Sequence, residues 1–146
     1  KKGMRVVQDV EIPVRDCAAF VHWFLREIPI EPIWLCPLRL REDGPFPPQP
    51  GDQPWPLYPL HAGETYVNVG FWSSVPADPG DPGAANRLIE QEVTALHGHK
   101  SLYSDSFYEH AEFDRLYGGD ACARLKARYD PDARLLDLYS KAVQPR

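Results

Sequence analysis

Seven prolines fall between Arg41 and Glu64, in the stretch REDGPFPPQPGDQPWPLYPLHAGE, and they set the first limit on what this chain can fold into. Each one fixes φ and removes a backbone donor, so neither a continuous helix nor a central strand can run through them. The stretch reads as a long, stiffened loop, of the kind that serves as a lid or an excursion from a compact domain. Regular structure has to come from what lies on either side of it.

Before the loop, residues 5–14 (RVVQDVEIPV) alternate, with Val6, Val10, Ile12 and Val14 on one side and Val7, Asp9 and Glu11 on the other. That two-residue period predicts a half-buried strand. Residues 16–28 place Cys17, Phe20, Val21, Phe24, Leu25 and Ile28 at helical spacing, with Asp16 as N-cap and Pro29 just past the end. Residues 33–40 (IWLCPLRL) alternate again: Trp34, Cys36, Leu38 and Leu40 against Ile33, Leu35 and Arg39.

Beyond the loop, residues 65–72 (TYVNVGFW) turn Val67, Val69 and Phe71 inward and Tyr66, Asn68 and Trp72 outward. The strands on either side of the loop are expected to pair antiparallel. Asp81-Pro82 then starts a helix to about Leu96, with Ala85, Leu88, Ile89, Val93 and Leu96 on one face. This β-α-β-β-α order is the larger part of a ferredoxin-like α+β sandwich, an antiparallel sheet with helices on one face.

Residues 97–146 have a different texture. Short helices are expected at 109–117, stopped by Gly118-Gly119, at 120–128, and at 133–143. Helices of that length bury little alone and need another surface to pack on. The division expected is 1–96 as one unit and 97–146 as a dependent segment.

A length of 146 residues suits one medium domain or two small subdomains with a common core. A net charge of -5 without any basic run argues against phosphate-backbone binding as the main activity, and no basic surface helix or transmembrane run is evident. Cys17, Cys36 and Cys122 are too few and too widely spaced for a disulfide framework or zinc knuckle. Reduced thiols in the cytoplasm are the simplest reading, with membrane association left open.

Chemistry-bearing residues concentrate in residues 97–108, HGHKSLYSDSFY. His97 and His99 follow a helix without a supporting carboxylate or cysteine, so no metal is expected. Ser101, Ser104 and Ser106 lack the G-x-S-x-G elbow of a hydrolase nucleophile. Gly98 reads as a helix end whose dipole His97, His99 and Lys100 complement, and Ser106-x-x-Glu109 as a capping box. Cys36, between Leu35 and Pro37, reads as a buried structural thiol. An outward face carrying Ile33, Leu35, Arg39, Tyr66, Asn68 and Trp72 suits either an apolar ligand or burial against another domain or a second copy.

Taken together, IEPIWLCPLRL, TYVNVGFW, HGHKSLYSDSFY, EFDRLYGGD and LKARYDPDARLLDLYSKAV resemble the C-terminal region of FAD-linked oxidases of the vanillyl-alcohol-oxidase type. The nearest branch resembles the delta-24 sterol reductase-like flavoproteins, in particular their bacterial relatives. The resemblance implies a substrate-binding cap over residues 1–96 and a segment returning to a flavin over 97–146. The glycine-rich FAD-binding domain would then lie outside this chain, and FAD would be bound mainly there.

It further implies that Lys100 meets the pyrimidine edge of the flavin and steadies the charge that develops there, with His97 as a second contact. Arg39, Tyr66, Asn68 and Trp72 would line the substrate side, for a hydrophobic sterol-like or alcohol substrate. The eukaryotic sterol reductases carry a glutamine-like residue where this chain has Lys100, so the resemblance alone does not carry their sterol substrate over to this chain. The second reading is a stand-alone α+β ligand-binding or dimerisation module, with a homodimer left open.

Overall fold

The computed structural model of the protein describes residues 3–42, 57–58 and 60–143, so most of the expected proline loop lies outside the described residues. Alternation makes β1 (Gly3–Pro13) an inner strand of a four-stranded antiparallel sheet. Helix α1 (Cys17–Glu27) and strand β2 (Ile33–Arg39) follow, and after the loop come β3 (Thr65–Pro76) and α2 (Ala84–Ala95). A two-residue strand, β4 (His99–Lys100), completes the order β2-β3-β1-β4. This is the ferredoxin-like arrangement expected from the sequence, with a fourth strand too short for any periodicity to reveal. The sheet thus draws on residues beyond 96.

One face of the sheet is the core. Val6, Val10, Ile12, Val69 and Phe71 meet Phe20 and Phe24 of α1 and Ile89 and Val93 of α2, and the Phe24 and Phe71 rings lie 4.4 Å apart. Gln8 is on this face as well, where its side-chain amide donates to Asn86 of α2 at 2.6 Å, and Asn86 in turn donates to the Arg5 carbonyl at 3.0 Å. That pairing fixes α2 on the sheet and satisfies the Asn86 amide, while Gln8 Oε1 stays buried without a partner.

Several local expectations are corrected. Asp16 makes no side-chain cap to α1; its carboxylate pairs with Arg15 instead. Helix α2 is entered through Gly83 at φ 108, while Asp81 pairs with Arg87. The strand β3 continues to Pro76 because Val75 and Pro76 still pair with Met4 and Gly3 of β1.

At the end of α2, His97 takes the left-handed conformation (φ 55) and the Gly98 N–H returns to the Val93 carbonyl. A Cβ on Gly98 would stand 2.7 Å from the Glu11 carbonyl oxygen, so only glycine lets the chain pass this close to β1 and form β4.

The C-terminal helices are α3 (His110–Leu116), α4 (Gly119–Tyr129) and α5 (Leu138–Ala142). They gather around a small second core of Tyr108, Phe113 and Tyr117, against which Leu102, Leu116 and Tyr139 pack. Gly118 takes φ 67 between α3 and α4, as the Gly-Gly signal predicted. The last helix is shorter than expected because Asp130 accepts the backbone N–H groups of Arg134 and Leu135, closing that stretch as a turn. No residue of α4 is buried, and Leu125, Tyr129, Leu135 and Leu136 are exposed.

Candidate functional site

Strand pairing divides the expected site residues between two faces. Ile33, Leu35 and Arg39 sit opposite Phe71, Val69 and Thr65, which places them on the helix-facing side. Tyr66, Asn68 and Trp72 point the other way, together with Trp34, Cys36 and Leu38. The face expected to carry Ile33, Leu35, Arg39, Tyr66, Asn68 and Trp72 therefore does not exist as one surface. The pattern of IWLCPLRL is apolar on both sides, so alternation alone could not tell which side faces the helices. Arg39 pairs with Glu42 at 3.1 Å, away from the other three. Cys36 is exposed and not buried, because β2 is an edge strand.

The open face is built from all four strands. Trp34 and Trp72, both about half exposed, flank Gly70. Gly70 has no side chain to fill the space, and the Asp9 carboxylate and Trp72 ring lean over it. Tyr66 is buried, its hydroxyl donating to Glu64 at 3.0 Å and accepting the His61 backbone N–H at 3.2 Å. Asn68 faces inward along the sheet and donates to Glu11 Oε1 at 2.9 Å.

Glu11 is the polar centre of this face. It is 2% exposed, and its Oε1 also accepts from the Ser101 hydroxyl at 3.2 Å. Its other oxygen, Oε2, and the neighbouring Asp9 Oδ1 are buried without a hydrogen-bond partner. Burial pushes the Glu11 carboxyl up from an ordinary 4.5 to about 7; the Asn68 and Ser101 hydrogen bonds oppose the shift, and the Asp9 charge adds to it.

His99 lies on the same face opposite Glu11, its ring against Tyr58 at 5.0 Å and Tyr117 at 5.1 Å. Burial lowers its pKa from 6.5 to about 4, so the imidazole is neutral at neutral pH. Burial also pushes Tyr58 up to about 12, and burial together with Asp9 does the same to Tyr103.

Lys100 follows His99 on the two-residue strand and so points to the opposite side, into the core. It is fully buried. Its ammonium donates to Glu90 of α2 at 2.9 Å, to the Ser106 hydroxyl at 2.7 Å and to the Asp105 carbonyl at 2.7 Å. An ammonium has three donors, and all three are engaged within the chain. Glu90 also accepts the Phe107 N–H, which draws residues 105–107 onto α2. Desolvation lowers the Lys100 pKa and raises that of Glu90, and each partner opposes the other's shift.

This geometry corrects two expectations. Lys100 does not present its charge to a ligand; it ties β4 to α2. Ser106 is no cap for α3, which starts after Glu109 without a side-chain cap, because its hydroxyl serves Lys100. His97 is exposed and lines a cleft of about 300 Å³ with His61, His99, Arg115 and Tyr117. Among the described residues no group of three metal-ligating side chains comes together, and no helix is long and apolar enough to cross a membrane.

Sequence reasoning assigned Asp9 and Glu11 to the outer side of β1 but gave them no role. The available signal was two acids at alternate positions of a valine-rich strand, which on a sheet face must either meet water or be sheltered by neighbours.

No protein-family model matches the chain. It is similar to Delta(24)-sterol reductases over most of its length: 27% identical to that of Homo sapiens over 137 residues, 93% of this chain and 25% of the human protein. The Arabidopsis thaliana Delta(24)-sterol reductase is 26% identical over 155 residues, covering 98% of this chain and 27% of its own length. A homolog of the enzyme in Caenorhabditis elegans is 27% identical over 114 residues, 77% of this chain and 20% of its own. The chain spans about a quarter of the length of the curated relatives it matches.

Proposed function

We propose that this chain is the substrate-facing cap and returning C-terminal segment of a flavin-dependent oxidoreductase. A hydride passes between a hydrophobic, sterol-like substrate and FAD held mainly by a domain outside the chain. The similarity to sterol reductases across most of the chain, at a quarter of their length, supports a part of such an enzyme. The observation that carries the reading is the open sheet face, an apolar band of Trp34, Leu38 and Trp72 set beside a sheltered polar node of Glu11, Asn68 and Ser101. Pockets for apolar ligands are built in this way, from aromatic walls and a few placed polar groups.

The FAD supplies or accepts the hydride. Of the two residues expected to meet it, Lys100 does not fit, since its donors are consumed in the core. His97 fits better, standing in the cleft beside His61 and Arg115, where it can donate to an electron-rich ring edge. Trp72 and Trp34 exclude water from the substrate, and Asn68 keeps Glu11 in place. The exposed Leu125, Tyr129, Leu135 and Leu136 form the face by which residues 97–146 rest on the flavin domain.

The test is the absorption spectrum of the complete protein carrying this chain, together with tryptophan fluorescence on adding a sterol-like alkene. The reading predicts a flavin spectrum and a saturable fluorescence change that Trp72→Ser reduces. A colourless protein, or fluorescence indifferent to the alkene, contradicts it.

A further inference from the structure

Glu11 has a geometry that simple structural burial does not call for. Two donors, Asn68 from β3 and Ser101 just past β4, occupy Oε1, while Oε2 stands buried without a partner. A carboxylate so placed would leave half of its charge on an oxygen without hydrogen bonds, beside the second carboxyl of Asp9. A carboxylic acid resolves this, because Oε1 goes on accepting while the proton sits on Oε2 as a donor in want of an acceptor.

The groups facing it come from every neighbouring element: Asp9 from β1, Asn68 from β3, Cys36 from β2 beyond Asn68, His99 and Ser101 at β4, and the tyrosines Tyr58, Tyr103 and Tyr117. His99 is neutral there and Tyr58 keeps its proton, so neither supplies a countercharge.

We propose that Glu11 is the catalytic acid of the open face: Oε2, covered in the free chain, is laid bare as the substrate settles on this face and delivers its proton to a carbon–carbon double bond. This rests on the functional reading above and deepens it to reduction of an alkene. The step balances. One alkene carbon takes the hydride, with its electron pair, from the reduced flavin, which is thereby oxidised. The other carbon forms its C–H bond as the Glu11 O–H bond breaks. Glu11 is left as carboxylate, held by Asn68 and Ser101, and regains its proton from water.

Glu11→Gln keeps an acceptor at Oε1 for both donors and so preserves the fold while removing the acid. The complete protein, reduced anaerobically and mixed with a sterol-like alkene, gives the first readout through return of the oxidised-flavin absorbance. The proposal expects this rate to fall about 10²- to 10⁴-fold in Glu11→Gln without a matching change in KM. It also expects the wild-type rate to decline as pH rises through about 7, and the variant to lose that dependence.

The second readout is independent of turnover: the infrared carbonyl band of a protonated carboxylic acid, present in the wild-type protein at about pH 6 and absent in Glu11→Gln. A wild type that turns over while Glu11→Gln matches it at every pH overturns the acid alone, as does a change confined to KM or a missing carbonyl band. A wild type without flavin, or without reaction toward the alkene, overturns the functional reading and the acid with it.

Discussion

Replacing Lys100 by methionine should damage the fold before it touches any chemistry. Methionine retains most of the buried stem but removes the ammonium, leaving Glu90, 3% exposed, with the Phe107 N–H as its remaining partner. The carboxyl can escape only by taking up a proton. For a group with an ordinary pKa of 4.5 this costs about 2.5 × 1.36, or roughly 3.4 kcal/mol, at about pH 7. That agrees with the loss of about 3–5 kcal/mol when one partner of a buried ion pair is deleted, a large share of the ~5–15 kcal/mol that holds a domain together.

Urea unfolding at several pH values gives the measurement. In Lys100→Met the Glu90 pKa rises further above its unfolded value, so folding takes up a proton, and the deficit grows with pH and shrinks as pH falls toward about 4.5. Adding Glu90→Gln, which still accepts from Phe107, should recover most of the loss. A deficit below about 1 kcal/mol, or one that does not vary with pH, would refute the reasoning and return Lys100 to the list of ligand-facing residues.

Glu11 and His99 make opposing contributions to stability. The raised Glu11 pKa adds stability that is full below about 4.5 and lost as pH rises through about 7, whereas the lowered His99 pKa adds stability that is full above 6.5 and lost as pH falls through about 4. Their slopes cancel between about pH 4.5 and 6.5, so Glu11→Gln should reveal a rise of about 2–3 kcal/mol across that window in urea unfolding, and His99→Gln a fall of similar size. Leu135→Ser with Leu136→Ser should change stability by less than about 0.5 kcal/mol while weakening flavin retention in the complete protein, measured by equilibrium dialysis. Phe24→Ala, which empties the contact with Phe71, should cost about 3–5 kcal/mol in the same unfolding assay.

The sheet and its helices were legible wherever one face is strictly apolar. Val6, Val10 and Ile12, or Val69 and Phe71, could face only inward, and the ferredoxin-like order followed. Legibility failed where both faces are apolar, as at Ile33, Leu35 and Trp34, since there the partner strand decides the direction. It failed also at β4, because two residues carry no period and the strand exists through the Gly98 approach to Glu11. That one missing strand inverted the site. With His97–Lys100 read as a helix end, nothing in the local pattern opposed the flavin contact that the resemblance implied for Lys100; as a strand, His99 takes the open face and Lys100 the core. The Glu11 node depends on three segments, β1, β3 and residue 101, whose meeting no local pattern encodes.

The most direct test of a substrate face in a flavin-dependent reductase is anaerobic stopped-flow reoxidation of the reduced complete protein by a sterol-like alkene. The account predicts that the oxidised-flavin absorbance returns at a rate that saturates with alkene, and that Trp72→Ser raises the concentration needed for half saturation. A flavin that stays reduced at every alkene concentration, or a saturation curve that Trp72→Ser leaves unmoved, would contradict it.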